Sequence, residues 1–177
     1  GLYNRRGFLT MAEHQLKLER HTGTARGLTV LFADMDGLKA INDTYGHEAG
    51  SNAIRTLGRL VAASVRSGDL VARWGGDEII ILSVGAHGEH GRLMVDRIQE
   101  SIDHYNSESR EPFSIGCSIG FTSVDHTRGF DEIIAEADKR MYAEKRRRKA
   151  TRDSTASAPP SFVRPWIDHT PSVWRKL

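Results

Sequence analysis

The feature that most constrains this chain is a pair of apolar segments joined by adjacent glycines. Residues 69–84 read DLVARWGGDEIIILSV, and Gly75-Gly76 predicts a hairpin of two strands. An ordinary surface hairpin explains glycines followed by one exposed acid, but it explains the adjacent acids Asp77 and Glu78 less well. In the functional interpretation, the glycines leave room for a ligand's phosphates and the acids hold a hard cation such as Mg²⁺.

Apolar spacing in the rest of the chain predicts helices interspersed with strands, which is typical of an α/β fold. Helical spacing covers residues 2–21, 48–68, 90–105 and 130–149, and apolar strand segments cover 28–34 and 112–124. The segment 37–50, GLKAINDTYGHEAG, is predicted to form small turns.

Length and composition restrict the class of protein. A chain of 177 residues with 38% hydrophobic composition suits one domain of ordinary size. Its 25 Lys and Arg nearly balance 23 Asp and Glu, and it has no apolar run of membrane-spanning length, so we expect a cytoplasmic protein. The single cysteine, Cys117, excludes an internal disulfide and is expected to fill the core.

A change of composition predicts the domain boundary. From Thr151 the chain is rich in Ser, Thr, Ala and Pro, so residues 1–150 are predicted to fold and residues 151–177 to form a flexible or surface-docked tail. Because the chain opens on Gly rather than Met, we expect it to be part of a longer chain with an upstream sensor module.

A second acidic segment follows the predicted strand 28–34. Asp34, Met35 and Asp36 lie where this strand runs into a glycine-containing turn, as in many nucleotide sites. We expect Asp34 to face Asp77 across adjacent strands, where two carboxylates and a backbone carbonyl make a hard-ion site. Because strand-end acids are common, composition alone leaves the metal role and a structural role equally open.

Several motifs together resemble the GGDEF domain of diguanylate cyclases. They are LYNRRGF (2–8), FADMDGLKAINDTYGHEAGS (32–51), RWGGDEI (73–79), SIGF (118–121) and ADKRMYAEK (137–145). The resemblance covers residues 1–150. It implies an α/β (α+β) fold with a central, mainly antiparallel sheet surrounded by helices, related to the palm of polymerases and nucleotidyl cyclases.

The resemblance also implies a reaction. Two subunits of a homodimer each bind one nucleoside triphosphate, and each ribose 3′-hydroxyl attacks the partner's α-phosphate to close a cyclic dinucleotide and release two pyrophosphates. The implied cofactor is Mg²⁺ (or Mn²⁺). Nucleic acid is not an expected partner, because the basic stretch 145–152 lacks interleaved aromatic residues.

The family's site residues carry over to matching positions of this chain. The resemblance assigns metal binding to Asp34, the carbonyl of Met35 and Asp77, with Glu78 at or beside the metal and assisting deprotonation of the 3′-hydroxyl. Phosphate binding would fall to the backbone amides of Gly37, Leu38 and Lys39 and to the side chains of Lys145 and Lys149. For Lys149 a solvated helix end is an equal alternative, because this chain reads KRRRKA where the family usually has Gly and then Arg-Asn.

The base-contacting positions depart from the family pattern. Asn42 matches the family's base-contacting asparagine, but Ser51 replaces the usual aspartate. A carboxylate accepts from guanine and repels the N1 acceptor of adenine, whereas a hydroxyl donates or accepts. Serine here resembles the hybrid promiscuous branch, which joins ATP and GTP into cyclic AMP-GMP. We therefore expect GTP and ATP as substrates, with a GTP-specific diguanylate cyclase and a non-catalytic cyclic di-GMP receptor as alternatives.

A second site is implied at Arg66-Ser67-Gly68-Asp69. This segment matches the family's RxxD product-inhibition motif, which binds cyclic di-GMP. The arginine fork suits the Hoogsteen edge of guanine, and the aspartate accepts from its N1 or N2 donors. The structural alternative is that Arg66 and Asp69 only cap a helix end before a strand.

Overall fold

The computed structural model describes residues 2–22, 27–85, 88–124 and 128–156. The helices are α1 (Arg5–Thr22), α2 (Leu38–Ser64), α3 (Gly88–Glu108) and α4 (Phe130–Ala156); the strands are β1 (Tyr3–Asn4), β2 (Leu28–Asp36), β3 (Leu70–Arg73), β4 (Glu78–Val84) and β5 (Gly116–Ser123). The strands form one sheet in the order β1-β3-β4-β2-β5. Only the short β1–β3 pairing is parallel, which confirms the predicted mixed fold around a mainly antiparallel sheet.

Helices cover both faces of the sheet, and the alternation of side chains along each strand divides the core between these faces. On β2, Leu31 and Ala33 pack on the side of α2 and α3, whereas Val30 and Phe32 pack on the side of α1 and α4. Because both faces are buried, β2 is a continuous apolar run instead of an alternating one. Cys117 of β5 is fully buried, as predicted, and burial raises the pKa of its thiol.

The predicted hairpin is present, but the predicted turns over residues 37–50 are wrong. This segment begins α2, which consists of two helical stretches joined at Gly46 (φ 87°, ψ 164°). Gly37 has the left-handed φ of 73° that starts the helix after β2. These glycines therefore start and kink a helix, although glycine-rich sequence usually signals turns.

Helix α4 packs closely on the sheet because β5 has a glycine at the contact. A Cβ on Gly120 would lie 2.1 Å from the Met141 backbone nitrogen. This close approach places the second half of α4 beside the end of β2. The helix continues through Ala156, past the predicted boundary at 150, and residues 157–177 of the predicted tail lie outside the described residues. No helix of the described residues combines the length and the apolar composition that crossing a membrane requires.

Candidate active site

Three acidic residues, Asp34, Asp77 and Glu78, lie where β2 ends and β4 begins. In the antiparallel β2–β4 register, Asp34 lies opposite Glu78, and the Met35 amide donates to the carbonyl oxygen of Asp77 at 3.2 Å. The sequence led us to expect Asp77 opposite Asp34, and that register is wrong. Because β4 begins at Glu78, Asp77 lies in the preceding turn while Glu78 takes the cross-strand position.

Burial and mutual repulsion disfavour the ionised forms of Asp34 and Glu78. The pKa of Asp34 is raised, first by burial and then by the charges of Asp77 and Asp36, although Lys145 opposes this shift. The pKa of Glu78 is also raised, by burial and then by Asp34 and Asp77. A cation placed among these groups would relieve the repulsion, so the charge distribution favours binding of positive ions.

The donor set suits a hard metal ion that arrives with a nucleotide. Among the described residues no three His, Cys, Asp or Glu side chains converge closely enough to enclose an ion. Carboxylates of Asp34, Asp77 and Glu78 and the Met35 carbonyl are nevertheless the oxygen ligands that Mg²⁺ prefers, and Mg²⁺ commonly completes its shell with water and phosphate oxygens. The residues therefore fit a metal–nucleotide complex better than a closed cage.

The glycine pair before these acids positions Glu78. A Cβ on Gly75 would lie 2.2 Å from Glu78 Oε2, so the missing side chain leaves space for that carboxylate. We expected both glycines to leave room for phosphates; at Gly75 the space holds Glu78 instead, whereas a Cβ on Gly76 would meet nothing within 4 Å. The Arg73 guanidinium secures the turn by donating to the carbonyl oxygens of Gly75 (3.2 Å) and Gly76 (2.6 Å).

A helix N-terminus lies directly after the acidic end of β2. Helix α2 begins at Leu38, and its N-cap residue Gly37 supplies no side-chain cap. The first amides of a helix lack intrahelical acceptors and attract anions. The predicted phosphate cradle of Gly37, Leu38 and Lys39 thus coincides with this N-terminus.

Helix α4 brings cations to the same end of β2. Lys145 forms an ion pair with Asp34. Lys149 is exposed and forms no ion pair with the described part of the chain, whereas Arg148, at 30% side-chain exposure, lies 3.8 Å from Asp36. Arg148 was missed from the sequence, although its spacing of three residues from Lys145 places both on one helix face.

Two further residues that the sequence did not suggest hold this arrangement. The hydroxyl of Ser118, on β5, donates to the buried Asp36 at 2.7 Å. Nε of Arg148 donates to Glu144 at 3.0 Å, and hydrogen bonds first from Arg147 and then from Arg148 lower the pKa of Glu144 to about 2. Glu144 is therefore an ionised group that orients the Arg148 guanidinium.

Asn42 and Ser51 lie on the two stretches of α2. A Cβ on Gly50 would lie 2.0 Å from Asn42 Oδ1, so the glycine lets Asn42 pack against the second stretch beside the exposed Ser51. A cleft of about 870 Å³ opens between this helix and the acids. It is lined, among others, by Leu2, Ile54, Gly58, Gly75, Asp77 and Glu78.

The RSGD segment has a clear structural role. Asp69 accepts hydrogen bonds from the Arg66 amide (2.9 Å), the Ser83 hydroxyl (3.0 Å) and the Val84 amide (3.1 Å). The carboxylate thereby ties the end of α2 to the end of β4. The Arg66 side chain is exposed and lines the same cleft as the acids, so its predicted contact with a cyclic dinucleotide stays a prediction.

Comparison with known proteins identifies the family. Residues 1–151 match the family model for the diguanylate cyclase GGDEF domain. Diguanylate cyclase DosC of Escherichia coli is 32% identical over 148 residues, which cover 82% of this chain but only 32% of DosC. The chain thus spans about a third of that protein's length.

Solved structures show the same fold. The GGDEF domain of YfiN (TpbB) from Pseudomonas aeruginosa is 29% identical, with a TM-score of 0.74 over 83% of this chain and 92% of that one. The GGDEF domain of DgcB from Caulobacter crescentus, solved in complex with c-di-GMP, is 23% identical and has a TM-score of 0.74, over 82% and 86% of the two chains. With its helix-flanked, mainly antiparallel sheet and its matching motifs, the chain belongs to the diguanylate cyclase GGDEF domain family.

Proposed function

We propose that this domain is a diguanylate cyclase that condenses two GTP molecules into cyclic di-GMP and releases two pyrophosphates. The observation that carries the proposal is the group of acidic residues at the β2–β4 end, with Asp34 opposite Glu78 and Asp77 in the turn before β4, beside the uncapped N-terminus of α2. Family membership supports it, because the similar protein DosC is named a diguanylate cyclase.

In the proposed reaction, each 3′-oxygen forms a bond to the α-phosphorus of the other nucleotide, and the bond from that phosphorus to the pyrophosphate breaks. Asp34, Asp77, Glu78 and the Met35 carbonyl would hold Mg²⁺ or Mn²⁺, which polarises the phosphates and stabilises charge that develops in the transition state. Glu78, whose pKa is raised, is suited to accept the 3′-hydroxyl proton.

The triphosphate would lie between the start of α2 and the end of α4. Amides of Gly37, Leu38 and Lys39 would donate to its oxygens, and Lys145, which already lies at Asp34, would neutralise them. One domain holds one nucleotide, so both bonds form only when two copies bring their nucleotides together. A homodimer is therefore part of the proposal.

Ser51 favours a second candidate, synthesis of cyclic AMP-GMP by relaxed base selectivity. Its hydroxyl serves either purine, since it both donates and accepts. The similar proteins named above are diguanylate cyclases, which favours the GTP-specific product over this mixed one. A reaction with equal ATP and GTP, analysed by mass, separates the two: cyclic di-GMP alone excludes the mixed-product candidate.

The proposed site is tested by Asp34→Ala and Asp77→Ala. Each removes a metal-binding carboxylate, so we expect cyclic dinucleotide formation from GTP to fall by at least about a hundredfold. Circular dichroism checks that the variants are folded. Turnover close to wild type in either variant would refute the assigned site, and wild-type binding of cyclic di-GMP without any turnover would favour the receptor alternative.

A further inference from the structure

The wall of the cleft between α2 and the acids carries an arginine one turn beyond Ser51. Arg55 of α2 is exposed and lines the 870 Å³ cleft, which Ile54, Asp77 and Glu78 also line. Its side chain forms no hydrogen bond or ion pair with the described part of the chain. An arginine that lines a ligand cleft without an internal partner has its donors available for the ligand.

Helix geometry places Arg55 beside the residues expected to contact the base. Residues four apart on a helix lie about 5–6 Å apart at Cβ, so Arg55 stands above Ser51 and Ile54 stands above Gly50. Asn42 packs against Gly50. The apolar Ile54 and Leu2, which packs against Gly58, therefore line the cleft next to a set of polar groups that suits a flat heterocycle.

The residue at position 51 affects what Arg55 can do. An aspartate four residues before an arginine lies on the same helix face and can form an ion pair with it. Ser51 carries no charge and cannot hold the guanidinium in this way. In this chain the Arg55 fork is free to bind a ligand.

We infer that Arg55 is a specificity-determining residue that selects guanine through its O6 and N7 atoms. This inference rests on the proposed function and names the residue that sets its base preference. The guanidinium fork donates to both acceptors of guanine, whereas adenine presents an amino donor in place of O6 and repels the fork. Arg55 thus supplies from the Hoogsteen edge the discrimination that a carboxylate at position 51 would supply from the other edge.

The test measures binding separately from catalysis. Dissociation constants of 3′-deoxy-GTP and 3′-deoxy-ATP are measured with Mg²⁺, since nucleotides without the attacking hydroxyl bind but cannot react. A bidentate arginine–guanine contact discriminates by about tenfold or more. We expect wild type to prefer the guanine nucleotide and Arg55→Ala to lose about tenfold of that preference. Arg55→Lys, which keeps the charge but not the fork, should lose it too.

Arg59→Ala is the matched control, because Arg59 lies one turn further on the same helix, lines the same cleft and is also exposed. For Arg59→Ala, the ratio of the dissociation constants for 3′-deoxy-ATP and 3′-deoxy-GTP should equal that of wild type. Adding Ser51→Asp to Arg55→Ala should restore guanine preference. The inference is overturned if Arg55→Ala weakens both nucleotides equally, or if wild type binds both alike. Failure of the proposed function is distinguishable from failure of this inference, because the protein would then bind GTP selectively but form no cyclic product.

Discussion

At the scale of single residues, the glycine before the acids sets the geometry of the site. The volume that a side chain at Gly75 would fill holds the Glu78 carboxylate, while the equivalent position at Gly76 is open. The two adjacent glycines therefore have different structural roles. Gly75 permits the position of Glu78, and Gly76 leaves space next to the acids.

Gly75→Ala should lower kcat while leaving the fold intact. The new Cβ would meet Glu78 Oε2 at 2.2 Å and push the carboxylate away. Displacement of a reacting group by about 1 Å costs on the order of a hundredfold in rate, so we expect a loss of about ten- to a hundredfold in kcat. The matched control is Gly76→Ala, for which steady-state kinetics should show a much smaller loss. Equal effects of the two substitutions would contradict the assigned role of Gly75.

Glu78→Gln should stabilise the domain at neutral pH while reducing its activity. Folding raises the pKa of Glu78, so ionisation of this group disfavours the folded state as pH rises through the raised pKa. Because Glu78 is only partly buried, solvent screens these interactions, and we expect thermal unfolding at pH 7 to shift upwards by no more than about 1–3 °C, as a fraction of a kcal/mol does in a domain of this size. Below about pH 4, where glutamate is protonated in both states, the difference should disappear. A lower melting temperature at pH 7 would show that the ionised group is stabilising.

At the scale of elements, α4 delivers the positive charge of the site. Close packing at Gly120 sets its distance from the sheet, and its inward face carries Lys145 and Arg148 to the acids of β2. Glu144 holds Arg148 from the same helix. Apolar spacing predicted this helix, and the family resemblance implied Lys145 as a phosphate-binding cation. For Lys149 it left phosphate contact and a solvated helix end equally open, and it did not suggest Arg148.

Arg148→Gln should raise the KM for GTP about tenfold, because it removes a guanidinium that is expected to donate to the triphosphate. A charge-assisted hydrogen bond contributes about 1.5–3 kcal/mol, and the lower end applies because this side chain is partly exposed. Lys149→Gln is the control, since Lys149 is exposed and forms no ion pair with described residues, and its KM should stay near that of wild type. Steady-state kinetics with GTP compares them. A larger effect at Lys149 would restore the original sequence-based assignment.

Features set by neighbouring residues could be predicted from the sequence, whereas contacts between residues distant in the chain could not. Apolar periodicity located the hairpin and the long helices, because it records burial along each element. The turns predicted for 37–50 failed, because glycines that start and kink a helix look the same in sequence as glycines in turns. The support of Asp36 by Ser118 and Arg148 was not predictable, since these residues are distant in sequence and meet only in the folded chain.

At the scale of the whole molecule, one cleft reaches from the acids to the RSGD segment. Arg66 lines the cleft that Asp77 and Glu78 also line, while Asp69 ties α2 to β4.

If cyclic di-GMP binds at this end, Arg66→Ala should relieve inhibition by added product, raising the half-inhibitory concentration about tenfold with little change in initial rate. Asp69→Ala should in addition destabilise the domain, because it removes three hydrogen bonds. Unchanged inhibition in Arg66→Ala would leave the segment with its structural role alone.

The measurement that tests the central claim most directly is product analysis of the purified chain with GTP and Mg²⁺. Mass spectrometry identifies the nucleotide product, and a coupled assay counts the pyrophosphate released. We predict cyclic di-GMP with two pyrophosphates for each molecule formed, and none from Asp34→Ala. Release of a single phosphate per GTP, or absence of any cyclic dinucleotide under conditions where GTP binds, would contradict the proposal that this domain is a diguanylate cyclase.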